Sequence, residues 1–364
     1  MSESLGAQTD PWPVPDLSRA VPGEVLWSAE LPPAELLPGC AAGARLTYVS
    51  EGPAREPRTV TGAVHVPAGP APRDGWPVLA HAHGTIGVGE HCPISFTLLT
   101  EHHAALLAPW IRAGFAVVAT DYAGLGTPGG HPYLHRHTLG ANVVDSVLAA
   151  RRVRADLGTR WVTYGGSQGG FAALASAAMG AERAPELEHR GVVALCPPVY
   201  PDRLVALAGP RLPRIPTPGW AAYLSFILAG LRVARPELDL SGYLTEQGMR
   251  LVDEAPWYGF PVQAARARGV AIGDLVARPL RGTPVVEALR EVATLPVTGL
   301  AVPVHIAQGL LDATVPVPLV EAYVAALRRH GQPVTYRRHL ATHDLWRRAQ
   351  GAALAFARRV TADG

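Results

Sequence analysis

Lysine is missing from this chain: all 32 of its basic residues are arginine. Set against 30 acidic residues they leave a formal charge of only +2, which excludes a basic footprint for nucleic acid and a polybasic patch for membranes. Cysteine is scarce. Cys40, Cys92 and Cys196 are odd in number and widely spaced, so no disulfide framework is expected and a reducing compartment is the default. The longest nearly unbroken apolar run, Gly219 to Leu231, falls well short of the roughly 20 residues a membrane helix needs. Met1-Ser-Glu-Ser offers neither a basic region nor an apolar one for an export signal, and a cytoplasmic location is expected. No internal repeat is visible. With 48% hydrophobic and 17% charged residues over 364 positions, the chain can bury a large core as one or two domains.

One stretch organises the reading. Trp161-Val-Thr-Tyr164 is a short apolar run that breaks into Gly165-Gly-Ser167-Gln-Gly169, followed by a small-residue helix from Phe171 to Met179. This is the G-x-S-x-G pattern in a strand, sharp turn and helix, where a serine is held at the tip with its hydroxyl exposed. Ser167 is the candidate nucleophile. Gly165 and Gly169 leave room for strand and helix to cross. The Gln168 N–H opens a helix, where unpaired donors and the positive dipole end can hold an oxyanion.

The remaining segments alternate in type. Residues 1–42 are proline-rich and aperiodic, and an extended N-terminal arm is expected. Arg45 to Ser50 and Val60 to Val66 alternate apolar and polar residues as an antiparallel pair would. Pro77 to His83 reads as a central strand delivering the loop Gly84-Thr-Ile-Gly-Val-Gly89. A helix over Thr100–Ala113, a strand over Phe115–Thr120, a long loop over Asp121–Tyr133 and a helix over Asn142–Ala155 precede the serine turn. After it, Gly191 to Cys196 is a buried strand. Between about Pro201 and Leu295 strands disappear, and we expect an inserted helical cap. The alternation resumes with a strand over Val302–Ala307, a helix over Leu319–His330, a strand over Val334–Leu340 and a helix over Leu345–Val360. This rhythm predicts an α/β fold, a mainly parallel sheet covered on both faces, with core residues 43–200 and 296–364 and a cap at 201–295.

A serine nucleophile needs a base, and the base needs an orienting acid. Asp312 follows the strand from Val302 and His343 follows the strand from Val334, both at carboxyl ends where open α/β sheets gather their sites. Asp344 competes as the acid, but a sequence neighbour is badly placed to reach the far side of the His343 ring. His330 and His339 fall inside predicted elements. The second oxyanion donor is expected from the loop after the Pro77–His83 strand, at the N–H of Thr85 beside Gly84. Asp121 and Tyr122 are read as supporting residues, with Asp121 bonding loop backbone near the serine turn. His81, His83, His91, Cys92, His102 and His103 lack the spacing of a zinc motif, and Gly124-x-Gly126 lacks the helix of a dinucleotide fingerprint. No metal or cofactor is called for.

The segments Thr61-Gly-Ala-Val-His-Val-Pro67, His81-Ala-His-Gly-Thr-Ile-Gly-Val88, Cys92-Pro-Ile-Ser95, Thr120-Asp-Tyr-Ala-Gly-Leu-Gly-Thr-Pro-Gly-Gly-His-Pro-Tyr133, Gly165-Gly-Ser-Gln-Gly-Gly170, Gly309-Leu-Leu-Asp312 with Val315-Pro316, and Thr342-His343 together resemble the secretory (lipase A-like) branch of the α/β-hydrolases. The resemblance runs from about Arg45 to the C-terminus. It implies a triad of Ser167, Asp312 and His343 and a helical lid before the Asp312 loop, and the apolar cap suggests a small-molecule ester with an apolar acyl or alcohol group as substrate. The same acyl-enzyme resolved by an alcohol or amine would make an acyltransferase or a specialised-metabolite esterase, and loss of chemistry would leave a binding protein. Members of the family are usually exported, whereas no export signal is expected at this N-terminus, so the natural substrate need not be bulk triglyceride.

Overall fold

The computed structural model describes residues 16–96, 101–212 and 219–362. Nine strands form one sheet: β1 (Val25–Glu30), β2 (Cys40–Glu51), β3 (Pro57–Pro67), β4 (Trp76–Ala82), β5 (Ala116–Thr120), β6 (Leu157–Gly166), β7 (Glu188–Leu195), β8 (Val304–Gly309) and β9 (Val334–His339), in the spatial order β1-β2-β3-β5-β4-β6-β7-β8-β9. The first three strands are antiparallel and β3 meets β5 antiparallel; from β5 to β9 every neighbour is parallel. The alternating pair read from Arg45 and Val60 is the β2–β3 hairpin, with Ser50 opposite Arg58.

The helices among the described residues are α1 (Glu101–Arg112), α2 (Arg136–Val153), α3 (Gln168–Ala177), α4 (Gly180–Arg183), α5 (Pro201–Val205), α6 (Trp220–Ala234), α7 (Glu246–Glu254), α8 (Phe260–Arg266), α9 (Ile272–Leu275), α10 (Pro284–Ala293), α11 (Val317–Arg329) and α12 (Trp346–Thr361). Side chains alternate across a strand, and the core divides accordingly. Val78 and Ala80 of β4 belong to the core cluster that holds residues of α2, α3 and α11, whereas Leu79 belongs to the one that holds Leu107, Trp110 and Ile111 of α1 and Phe356 of α12. Helices therefore cover both faces, as near-continuous apolar parallel strands require. Between β7 and β8 the described residues form helices α5–α10, a short 3-10 turn at Ala255–Trp257 and one isolated bridge, Leu244 to Val276. No helix among them is long and apolar enough to cross a membrane.

Two expectations need correction. The N-terminal arm over 1–42 is not wholly an arm: Val25–Glu30 is the edge strand and β2 already begins at Cys40. Residues 1–15 of that call lie outside the described residues. The strand was hidden because only Val25 and Leu26 of β1 are even half-buried, so burial imposes no period-two pattern on it. Helix α2 starts at Arg136 rather than Asn142, because the His135 ring accepts from the Thr138 N–H and caps it. Histidine is not among the side chains that usually mark helix starts.

Candidate active site

β6 delivers Ser167 between two glycines that cannot be replaced cheaply. A Cβ on Gly165 would lie 2.3 Å from the Gly169 carbonyl oxygen, and one on Gly169 only 1.9 Å from that of Ala82. Strand β4, the turn and helix α3 thus approach at backbone contact. The turn forces Ser167 to φ 55° and ψ −123°, a region of backbone strain for a side-chain-bearing residue. The Ser167 N–H donates to the Leu195 carbonyl at 2.8 Å, fixing the turn to the end of β7. Gln168 is fully buried at the first position of α3. Its side-chain amide lies 2.7 Å from His131 Nε2, while His131 Nδ1 lies 2.9 Å from the Ala123 carbonyl. Burial pushes His131 down to about 3, so the ring is neutral: Nδ1–H donates to Ala123 and Nε2 accepts from Gln168. That leaves the main-chain N–H of Gln168 in the first turn of a helix, where N–H groups lack intrahelical partners.

Asp312 and His343 come together because β8 and β9 are adjacent and parallel. Their outgoing loops are joined by Leu310 N–H to the His339 carbonyl at 2.8 Å and Leu311 N–H to the Ala341 carbonyl at 3.0 Å. His343 Nδ1 then lies 2.8 Å from Asp312 Oδ2. The other carboxylate oxygen accepts from Thr314 N–H at 2.8 Å and Val315 N–H at 2.9 Å. Burial alone would raise the Asp312 pKa, but the bond and charge of His343 and the Val315 N–H outweigh it and hold the carboxyl below its ordinary value. Asp344, by contrast, is exposed.

Ser167 lies on the border of two cavities. One, of about 290 Å³, is walled by Leu204, Val205, Leu224, Ile227, Val315 and Leu319 with Tyr133 and Trp220. The other, of about 310 Å³, is shared by Ser167 and His343 with Gly84, Thr85 and Tyr164. Among the described residues the Ser167 hydroxyl has no hydrogen-bond partner, and such bonds are often long in ligand-free sites. Thr85 is fixed by its hydroxyl, 2.6 Å from the Tyr133 hydroxyl.

Asp121 is completely buried beneath this loop system. It accepts from Ser95 N–H at 2.7 Å, from the Ser95 hydroxyl and from the Thr61 hydroxyl at 2.7 Å. Its role in the structure is to tie β3 and the Pro93–Ser95 turn to the end of β5. Tyr122, at φ 65°, donates its hydroxyl to the His83 carbonyl at 3.2 Å. Gly84 follows His83, whose ring Nδ1 lies 2.7 Å from the Gly84 carbonyl.

Two site residues were missed in the sequence. Gln308, fully buried at the end of β8, donates its amide to Asp312 Oδ2 at 3.2 Å and to the Val315 carbonyl at 3.2 Å. Cys196 turns left-handed at φ 43° just after β7, and its thiol lies 3.7 Å from the His343 carbonyl. Cys196, Asp312 and His343 present ligand atoms within 4.8 Å of one another. A thiol whose pKa burial raises is a poor metal ligand. The histidines and cysteine between His81 and His103 form no such group among the described residues.

Residues 90–208 match the family model for secretory lipases. An esterase LipA of Xanthomonas oryzae, described as degrading rice cell wall, superposes with a TM-score of 0.75 over 93% of this chain and 98% of its own at 18% identity. Candida antarctica lipase A in its closed state gives 0.76 over 96% and 86% at 17% identity. The fold is that of an α/β-hydrolase, and the match to the secretory-lipase model spans residues 90–208. A Mycobacterium tuberculosis protein is 26% identical, over 92% of this chain and 78% of its own, and bears the name "Probable inactive lipase". The likeness is one of fold, and activity has to be argued from the residues this chain retains.

Proposed function

We propose that this α/β-hydrolase is a serine carboxylic-ester hydrolase working through Ser167, His343 and Asp312. The observation that carries the reading is the Asp312–His343 bond formed on loops that share a cavity with the strained Ser167. Asp312 holds the His343 tautomer that leaves Nε2 free to take the Ser167 proton, and its charge stabilises the imidazolium. Ser167 attacks the acyl carbonyl, the N–H groups of Gln168 and Thr85 hold the oxyanion, and His343 returns the proton to the departing alcohol. Water then repeats the sequence on the acyl-enzyme. The apolar cavity beside Ser167, to which α5 and α6 contribute Leu204, Val205, Leu224 and Ile227, suits an apolar acyl chain and makes the α5–α10 segment the lid. Three free cysteines fit the cytoplasmic setting expected from the sequence.

The second reading is a binding protein on this scaffold. It is favoured by the name of the mycobacterial relative and by the unbonded Ser167 hydroxyl. Labelling with a fluorophosphonate, followed by turnover of p-nitrophenyl esters from acetate to palmitate, separates the two. Serine-dependent turnover with a chain-length optimum supports the hydrolase. An unlabelled Ser167 in folded protein sinks it, and labelling without turnover shifts the reading to acyl transfer.

A further inference from the structure

A cavity of about 800 Å³ that the catalytic scheme does not use lies where the segment between β7 and β8 meets the core. The β2–β3 turn, the start of α2 and the ends of α3 and α4 line one side of it, and the ends of α6 and α10 line the other. Its charges are unevenly answered. Arg183 is taken up by Asp145 at 2.6 Å and Glu51 at 2.9 Å, and Arg235 by Glu291 at 2.5 Å. Arg55 and Arg136 meet no carboxylate among the described residues, and the Arg136 guanidinium donates only to the Thr294 carbonyl. Against these two cations the wall holds one unpaired acid among the described residues, the exposed Glu182.

The start of α2 adds to the imbalance. Arg136 and His137 stand in its first turn, which holds no acidic residue. This is the positive end of an 18-residue helix, where a cation is unfavourable and an anion is stabilised. Glu51 answers His137 at 2.5 Å, and no acid answers Arg136. Beside them His135 is 7% exposed. Its Nδ1 accepts from the Thr138 N–H at 3.2 Å, so the neutral ring carries its proton on Nε2. Burial, joined by the charges of His137, Arg136 and Arg235, pushes this ring down to about 4 and keeps it neutral at pH 7. Nε2 has no partner among the described residues, yet it is not sealed in packing as an orphaned core atom would be. A buried donor that opens on a cavity and meets nothing there calls for an acceptor.

The unmet groups are nearly all donors: the His135 Nε2–H, two guanidinium groups and the main-chain N–H groups of the first turn, which lack intrahelical partners. Carboxylates and phosphates suit such a set. Pro53, Met179 and Val292 supply apolar surface for a small carbon body.

We propose that this cavity binds a small organic anion, whose carboxylate or phosphate group is held by His135 Nε2–H, Arg136 and Arg55. Arg235 closes the other side, so the bound anion draws the end of α6 toward the start of α2. Both elements also reach the apolar cavity beside Ser167, through Tyr133 and Leu134 just before α2 and through Leu224 and Ile227 of α6. The site stands whether or not Ser167 turns over esters.

Isothermal titration of the wild-type protein at fixed ionic strength tests it with glycerol 3-phosphate, succinate and, as the uncharged control, glycerol. At least one anion should bind about tenfold or more tighter than glycerol, and the tighter of the two names the headgroup. Arg136→Gln should weaken that binding by about tenfold. His135→Asn can still cap the helix but lacks Nε2, and should weaken binding several-fold. Arg55→Asn, which suits the left-handed backbone at φ 62°, should do the same and keeps the test open if Arg136→Gln does not fold. Arg338→Gln removes a charge outside the cavity and should change nothing. With the anion bound, amide hydrogen exchange should slow at the end of α6 as well as at the start of α2. Anions that bind no better than glycerol would overturn the proposal. So would binding that the cavity variants leave intact or that Arg338→Gln weakens equally, and protection confined to α2 would overturn the tie to α6.

Discussion

Gln308 holds Asp312 from within the sheet: its amide lies 3.2 Å from the same Oδ2 that faces His343 at 2.8 Å. The carboxylate is thereby fixed on one oxygen by Gln308 and His343 and on the other by the Thr314 and Val315 N–H groups. Such a fully bonded, largely buried carboxylate can orient an imidazole without itself taking the proton.

Replacing Asp312 by Asn should lower kcat by about four orders of magnitude, since the wrong histidine tautomer is then held. Steady-state turnover of p-nitrophenyl octanoate measures this. A loss below tenfold would hand the orienting role to Asp344.

Gln308→Leu should lower kcat by about tenfold with little change in KM. The expectation follows from losing one hydrogen bond to a charged group, worth about 1.5 kcal/mol. An unchanged kcat would mean that the two main-chain N–H groups suffice to hold Asp312.

Ser167→Ala should abolish ester turnover and leave the melting temperature unchanged or raised, because the strained hydroxyl-bearing turn makes no hydrogen bond through its side chain among the described residues. Residual activity within tenfold of wild type would point to another nucleophile.

Gly169→Ala should destabilise by about 3 kcal/mol or more, as overpacking against backbone does at its upper range. The added Cβ would meet the Ala82 carbonyl oxygen at 1.9 Å, and neither β4 nor α3 can retreat without breaking the sheet. The urea midpoint reports it, and a shift equivalent to under 1 kcal/mol would show that the crossing is looser than described.

Stability should fall as pH drops from about 6.5 towards 4. Burial pushes His65, His135 and His305 from 6.5 down to about 4. The unfolded chain takes up their protons from 6.5 downward and the folded protein does not until about 4, so in that window acid favours unfolding. Each ring contributes at most about 1.4 kcal/mol per pH unit. Melting curves at pH 7 and pH 5 should differ by more than about 5 °C, and equal curves would show that these rings titrate normally in the fold.

Much of this molecule is legible along the chain because its signals are local. The strand–turn–helix around Ser167, the order of Ser167, Asp312 and His343, and the alternation that predicts a helix-covered parallel sheet all depend on residues a few positions apart. Side-chain period and turn chemistry write those directly. The edge strand at Val25 escaped because a half-solvated strand is under no pressure to alternate. Gln308, Cys196 and the His131–Gln168 pair escaped because their meaning lies in contacts 37 to 147 residues away or in a carboxylate reached around a turn. His135 is the clearest case. In sequence it stands between a loop and an expected helix, and only the fold, which brings the ends of α6 and α10 over the start of α2, sets it in the wall of a cavity. The chain alone determines which residues can do chemistry. The sheet order, by choosing which strand ends are neighbours, decides which of them meet and what they leave unsatisfied.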